Sequence, residues 1–295
     1  MAQSYVQTNQ AIKEDLLDIL INLSPTERQL TSGLGTSSAK NIRHENLIDT
    51  LAAAATNAYV QGADACFRAL TNPTRLANYV QTMAKGFMVP NIERELDTAG
   101  FEDRFKYEST KALTELGNDL ELALMRGSMA SGSGTVASQL RGLKNSLSLV
   151  TSQSGVSLTE SILEDRLQAV WDNTSSEVNA LYGDMYIKRK ISGFRTGLTV
   201  NVTADDKRLQ KSVDVYQADA AKLVKLFAHR YVTISGDTNH DVVGANENFF
   251  KVAYVRKPKF MNIAPTGDAT KGEVVADATL EVRHYNAGFW SKQHL

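Results

Sequence analysis

The residues of this chain best able to do chemistry are five histidines, a single cysteine and a few clustered carboxylates, and their spacing decides what they can do. His44, His229, His240, His284 and His294 share no ligand spacing, and neither an HExxH stretch nor a paired CxxC accompanies them. The closed tetrahedral donor set of a zinc site is therefore not expected. Cys66 has no second cysteine to pair with; it reads as a small packed residue and fits synthesis in a reducing cytoplasm. Asp237, Asn239 and Asp241 imitate the opening of a calcium loop. Val242 stands where that loop needs glycine and Asn248 where it needs glutamate, so a polar turn between strands is the better reading. Lys271 lies between Gly267 and Gly272 at a spacing unlike that of a phosphate loop, and residues 267–272 read as a hairpin loop. No GxSxG stretch is present, and the pairs Glu14–Asp15 and Asp205–Asp206 sit in polar segments as solvated faces. No catalytic residue, cofactor site or metal site is expected.

Charge excludes a further class. Lys and Arg total 32 against 33 Asp and Glu, a net charge of −1. A protein that grips nucleic acid by neutralising phosphates shows a basic surplus or a basic segment. Here the first 50 residues mix Lys13, Arg28, Lys40 and Arg43 with Glu14, Asp15, Asp18, Glu27, Glu45 and Asp49, which is not a genome-binding tail. No run approaches the roughly 18 apolar residues of a membrane span. Glu14, Asp15 and Asp18 interrupt the only hydrophobic segment near the N-terminus, so no secretory signal is expected.

The elements that would have to position any site are of mixed type, and the expected class is α+β. Residues 1–60 carry short apolar clusters (Leu16, Leu17, Ile19, Leu20, then Leu47, Ile48, Leu51) around a polar loop at 31–41, and read as an arm with little core of its own. Its alanine run predicts a helix over 47–59. Residues 75–89, with Tyr79 and Phe87, read as a two-stranded flap closed by Pro90 and Asn91. Residues 101–127 form the clearest element. Phe105, Ala112, Leu113, Leu116, Leu120, Ala123 and Leu124 share one helical stripe, with Arg104, Glu108, Lys111, Glu115, Asn118 and Asp119 opposite. At 1.5 Å per residue this helix would run roughly 40 Å. Gly117 interrupts it, at a cost of about 1 kcal/mol relative to alanine. A Ser- and Gly-rich joint follows at 128–138. Ser157 and Glu160 make a capping-box pattern ahead of a helix with Leu163, Leu167, Val170 and Trp171 inward. Strand patterns then cover Leu198, Val200 and Val202, Val213 and Val215, and residues 223–234, 249–255 and 273–285, with turns at 235–239 and 265–272.

These residues, in this order, resemble one large subfamily of tailed-bacteriophage major capsid proteins, whose fold is shared by herpesvirus capsids and bacterial encapsulins. Residues 14–19 (Glu-Asp-Leu-Leu-Asp-Ile), leading to Leu23, Ser24, Pro25, Gln29 and Leu30, resemble the start of the N-terminal arm. Asp49, Thr50, Leu51 and Ala52, with Asn57, Ala58 and residues 62–65, are similar to its exit, and residues 76–81 to the first strand of the extended loop. Asp119, Leu120 and Glu121, followed by Ala123, Leu124 and Gly127, resemble the end of the spine helix. Residues 140–143, 169–171 and 188–194 look like axial-domain segments, and residues 266–268, 279–283, Ala287 and Gly288 like the strands that return beside the helix. Asp277 stands where the resemblance would put a longer carboxylate. The likeness runs from about Lys13 to about Gly288, and colinear order carries it.

The resemblance implies an N-terminal arm (1–60), an extended β-hairpin loop or flap (61–100), a long spine helix of the peripheral domain (101–128), a mixed axial domain (129–252) and returning peripheral strands (253–295). It implies a structural subunit, not an enzyme, that assembles through pentamers and hexamers into an icosahedral shell around double-stranded DNA without reading its sequence. Portal, scaffolding or decoration proteins are the further partners implied; the place is the virion capsid, built in the host bacterial cytoplasm. Leu16, Leu20, Arg43, Arg75, Tyr79, Lys85 and Phe87 are the candidate interface residues. Some relatives form Lys–Asn isopeptide crosslinks. Lys85 with Asn262 or Asn286 offers the right residue types, but any chain of this size does, and crosslinking is not expected. Removing residues 1–45 is expected to leave a soluble subunit that cannot close shells. An encapsulin-like shell and a small-molecule-binding α+β domain are the alternatives.

Overall fold

An amphipathic stripe and a side-chain N-cap make the longest helix. In the computed structural model, which describes residues 27–64, 67, 69–96, 103–174, 176–194, 215–219, 223–233 and 239–295, the elements run in chain order as follows. They are α1 (Gln29–Gly33), β1 (Gly35–Ser38), β2 (Arg43–Ile48), β3 (Thr74–Tyr79), β4 (Gln81–Pro90), α2 (Asn91–Glu95), α3 (Arg104–Arg126), α4 (Leu143–Ser146) and β5 (Leu149–Ser152). Then come α5 (Glu160–Asn173), β6 (Ala180–Gly183), α6 (Met185–Phe194), β7 (Val215–Tyr216), β8 (Val224–Ala228), β9 (His240–Ala245), β10 (Phe250–Ile263), β11 (Ala269–Val282) and β12 (Gly288–His294). The Asp103 side chain caps α3 by accepting from the Phe105 N–H at 2.9 Å, and Gly127 ends it. With 23 residues α3 is about 35 Å long. Ala112, Leu116, Leu120 and Leu124 are buried, as their spacing requires, whereas Leu113 is 46 % exposed.

Helix α3 lies across a four-stranded sheet of order β1-β10-β11-β4. The β10–β11 pair is a long antiparallel hairpin, and β4 adds antiparallel to β11 with Gln81 opposite Ala278 and Pro90 opposite Ala269. The hairpin loop expected at 267–272 lies earlier, at 264–268, where Gly267 takes a φ of +86°, and residues 269–272 are already paired in β11. Pro258, which has no N–H to give a ladder, sits where the β10 register slips between Arg256 and Lys259.

The second sheet, of order β5-β12-β9-β6-β8-β7, is a partition between two cores. Side chains alternate across it: Ala180, Tyr182, Val243 and Ala245 face the core under α3, while Leu181 and Val242 face one built from Leu163, Leu167, Val170, Ile187 and Ile191 of α5 and α6. Both faces are covered, so β6 is buried at every position and shows no polar alternation. Close packing leaves no room at Gly244, where an added Cβ would lie 2.2 Å from the Phe289 ring. Gly244→Ala is expected to cost about 1–3 kcal/mol by overpacking, read as a lower thermal unfolding midpoint.

Several sequence expectations are corrected. Residues 47–59 are not helical: β2 ends at Ile48, and residues 49–60 form no regular element. Helices in proteins draw most of their stability from a packed face, and Leu51, at 94 % exposure, has nothing to pack against. The two strands foreseen in 75–89 exist but do not pair with each other. Only Val80 separates β3 from β4, too little for the two-residue turn of a tight hairpin, so β3 pairs with β2 and β4 with β11. Trp171 is 58 % exposed rather than inward, although Leu163, Leu167 and Val170 are buried. Thr159, not Ser157, caps α5. The expected strand at 223–234 stops at Ala228. Finally, Leu30, Leu34 and Ala39 are buried and β1 pairs in parallel with β10, so a 1–45 deletion would strip core residues from the body. The patterns at Leu198, Val200, Val202 and Val213 lie outside the described residues.

Candidate subunit interface

The β2–β3 ladder, running from Arg43 opposite Tyr79 to Ile48 opposite Thr74, is tied to β11 from both strands: Asn46 of β2 donates to the Val282 carbonyl at 3.2 Å, and Asn78 of β3 makes the buried anchor. Asn78 is buried, and its side-chain amide donates to the carbonyls of Leu280 (2.8 Å) and Arg141 (3.0 Å) while its oxygen accepts from the Arg141 N–H (2.7 Å). Beyond the ladder, the described residues between 49 and 73 belong to no strand or helix. Leu51 (94 %), Val60 (81 %), Phe67 (94 %) and Leu70 (91 %) are almost wholly exposed there. A cluster of large exposed apolar side chains of this kind exceeds the single scattered residues of an ordinary surface. A second exposed apolar stretch is the outer half of β10, where Val255, Met261 and Ile263 are uncovered.

Of the candidate residues, Arg43, Arg75 and Tyr79 come together on this ladder. Glu45 accepts from both arginines, at 2.7 Å from Arg43 and 3.3 Å from Arg75. Lys85 and Phe87 instead face α3 from β4. Lys85 pairs with Asp119 at 2.8 Å. Phe87 joins Phe105 and Phe260 in an aromatic trio with centroids 5.2–6.0 Å apart, made possible by Gly272, whose absent Cβ would sit 2.7 Å from both Phe87 and Phe260. Asn286 is hydrogen-bonded to Ser148, and Asp277 pairs with Arg256 at 2.8 Å. Leu16, Leu20 and Cys66 lie outside the described residues.

Sequence reasoning missed the polar groups inside the body. Glu121 is fully buried on α3 and accepts from the backbone N–H groups of Leu30 (2.6 Å) and Thr31 (2.9 Å) and from the Thr31 hydroxyl (2.6 Å), with His229 Nε2 at 2.9 Å. Burial alone would raise its pKa; His229, Thr31 and Leu30 outweigh that and hold it below the usual carboxylate value. One turn earlier, the Arg28 guanidinium crosses Gly117, where a Cβ would lie 2.0 Å from Nη1. The glycine that weakens α3 is thus the groove that seats residues 28–31. A signal was available: Glu121 stands beside the apolar stripe with Gly117 and Met125 at i±4 and Asn118 and Leu124 at i±3, so no cation at helical spacing could pair with it. Asp241, first read as part of a false calcium loop, receives Lys144 and the Trp290 indole N–H. Ser291 and His294 hydrogen-bond at 2.8 Å but are both buried, which makes them a pin within the sheet and closes them to a substrate.

A helix-backed sheet with projecting apolar segments defines a shell-building subunit of the tailed-phage capsid fold. The sequence matches the SU10 major capsid protein family over residues 2–293, and the chain belongs to that family. A search of curated protein sequences returns no match. Among solved structures, the capsid of a native GTA particle matches at TM-score 0.70 and 10 % identity, covering 100 % of both chains. Gordonia phage Cozz matches at TM-score 0.65 and 10 % identity, over 97 % of this chain and 92 % of that one. The SrpI encapsulin of Synechococcus elongatus matches at TM-score 0.60 and 13 % identity, over 99 % and 95 %. These likenesses share the fold; the family match favours the phage shell over the encapsulin. The role is structural, and no helix among the described residues is long and apolar enough to cross a membrane.

Proposed function

We propose that this chain closes an icosahedral virion shell by laying residues 49–73 on a neighbouring subunit. The carrying observation is that Leu51, Val60, Phe67 and Leu70 have no burial within their own chain. At about 25 cal/mol per Å2 of apolar surface removed from water, covering them on a neighbour adds several kcal/mol per contact. Repeating one such heterologous contact generates closed rings, and rings of five and six close the shell. In this reading residues 43–79 form the extended loop, α3 is the spine helix, the four-stranded sheet and α3 make the peripheral domain, and the α5–α6 half is the axial domain. Leu16 and Leu20 belong to the N-terminal arm, expected over 1–60. Arg43, Arg75 and Tyr79 set the angle at which the loop leaves, while Lys85 and Phe87 hold β4 to the spine. The shell encloses double-stranded DNA without sequence-specific contact, assembles in the host bacterial cytoplasm, and meets portal, scaffolding or decoration proteins through surfaces other than this loop.

The test is a triple variant, Leu51→Ser, Phe67→Ser and Leu70→Ser. Its far-ultraviolet circular dichroism and unfolding midpoint are expected to equal those of the parent subunit, because these residues bury nothing at home. Its negative-stain fields are expected to hold no closed particles. Shells in normal yield would show that this loop is not the interface.

A further inference from the structure

Beside the C-terminal end of α3 a pocket of about 290 Å3 opens between α4, β9 and β12. Its charges do not balance. Arg126, Lys144 and Lys292 line it, against Asp241 as the one carboxylate among the described lining residues. Asp241 is already engaged at both oxygens: Oδ2 accepts from Lys144 and from Trp290 Nε1 (3.2 Å), and Oδ1 from the Gln293 N–H (3.1 Å). Trp290 gathers the cations, with the Lys144 and Lys292 ammonium groups 4.5 and 5.3 Å from its ring centroid. Neither Arg126 nor Lys292 has a carboxylate partner among the described residues. The crowding is felt at Lys144, where burial lowers the pKa, Asp241 opposes, and the charges of Arg126 and Lys292 lower it further.

We propose that this pocket binds a phosphate group. Among the described lining residues, three cations stand against one carboxylate, an excess of two positive charges that suits a dianion better than a single carboxylate. A guanidinium offers paired donors to two oxygens, and an ammonium adds a third point of attachment. Asn145 cannot compete for the anion's place, since its amide donates to the Arg126 and Gly127 carbonyls at 3.2 and 2.8 Å. The phosphate can come from the free ion or from a nucleic-acid backbone. The inference rests on the pocket alone and holds whatever the shell encloses.

The chain has two tryptophans, so Trp171→Phe leaves Trp290 as the sole indole reporter at the pocket. Titrating full-length Trp171→Phe protein with potassium phosphate, at ionic strength held constant with potassium chloride, should give a saturable change in Trp290 emission. Adding Lys292→Gln or Arg126→Gln should weaken binding roughly tenfold, the loss of one charge-assisted contact. Both side chains are only partly buried, and unchanged circular dichroism verifies that each variant folds. A single-stranded oligonucleotide that binds more tightly than inorganic phosphate assigns the backbone; inorganic phosphate binding alone assigns the free ion. Emission that follows ionic strength alone, or affinity unaltered in both variants, overturns the proposal.

Discussion

Glu121→Gln is expected to destabilise the subunit by at least about 3 kcal/mol, since several buried donors lose their acceptor at once and each unsatisfied group costs about 1–3 kcal/mol. The carboxylate serves both sides with two oxygens: Leu30 and His229 at Oε1, and Thr31 twice at Oε2. An amide can turn its oxygen to one side only, and its NH2 then faces donors on the other. The loss should show as a lower urea midpoint of the soluble subunit, with protection of the Leu30 and Thr31 amides from hydrogen exchange falling first. The same carboxylate predicts a pH dependence. Its folded pKa is lower than its unfolded value near 4.5, so the stabilisation is fully present above that value and is lost as the pH falls through the lower folded pKa. The Gln variant should lack this acid-side loss. Equal midpoints for parent and variant would remove Glu121 from its role as the anchor of residues 28–31.

Leu116→Asp should fail to fold. Leu116 is 1 % exposed in the core between α3 and the four-stranded sheet. Truncation alone at such a site costs about 2–5 kcal/mol, and an unpaired carboxylate adds a desolvation penalty. Together these are comparable to the roughly 5–15 kcal/mol by which domains are stable. Leu122→Asp is the control: at 40 % exposure it lies off the packed face and should shift stability by no more than about 0.5 kcal/mol. Soluble yield and circular dichroism separate the two, and equal behaviour would mean that the wrong face of α3 has been taken as packed.

What was legible in the sequence was what local pattern encodes. The stripe of α3, its glycine end and the helix over 160–173 follow from periodicity and capping, the β10–β11 turn was foreseen a few residues late, and colinear family motifs supplied the fold. Pairing partners were not legible. Tyr79 and Phe87 sit on strands whose patterns look alike, yet one joins β2 and the other β11, and long-range register is not written in either strand alone. The strand β6 was hidden for a related reason: covered on both faces, Ala180 to Gly183 carry no alternation to read. The candidate site was legible in part. Exposed apolar residues near 51 were noticed as coreless, but the alanine run beside them argued for a helix that only a packed face could have stabilised. Glu121, Arg28 and Gly117 form a three-part fit whose members make sense only together.

The central claim is that these subunits close shells through surfaces they cannot bury alone. Negative-stain microscopy of the purified, concentrated protein tests it most directly. The expected image is of closed, uniform icosahedral particles, with a diameter larger than that of a small DNA-free encapsulin. A field holding only compact monomers at high concentration would contradict the account.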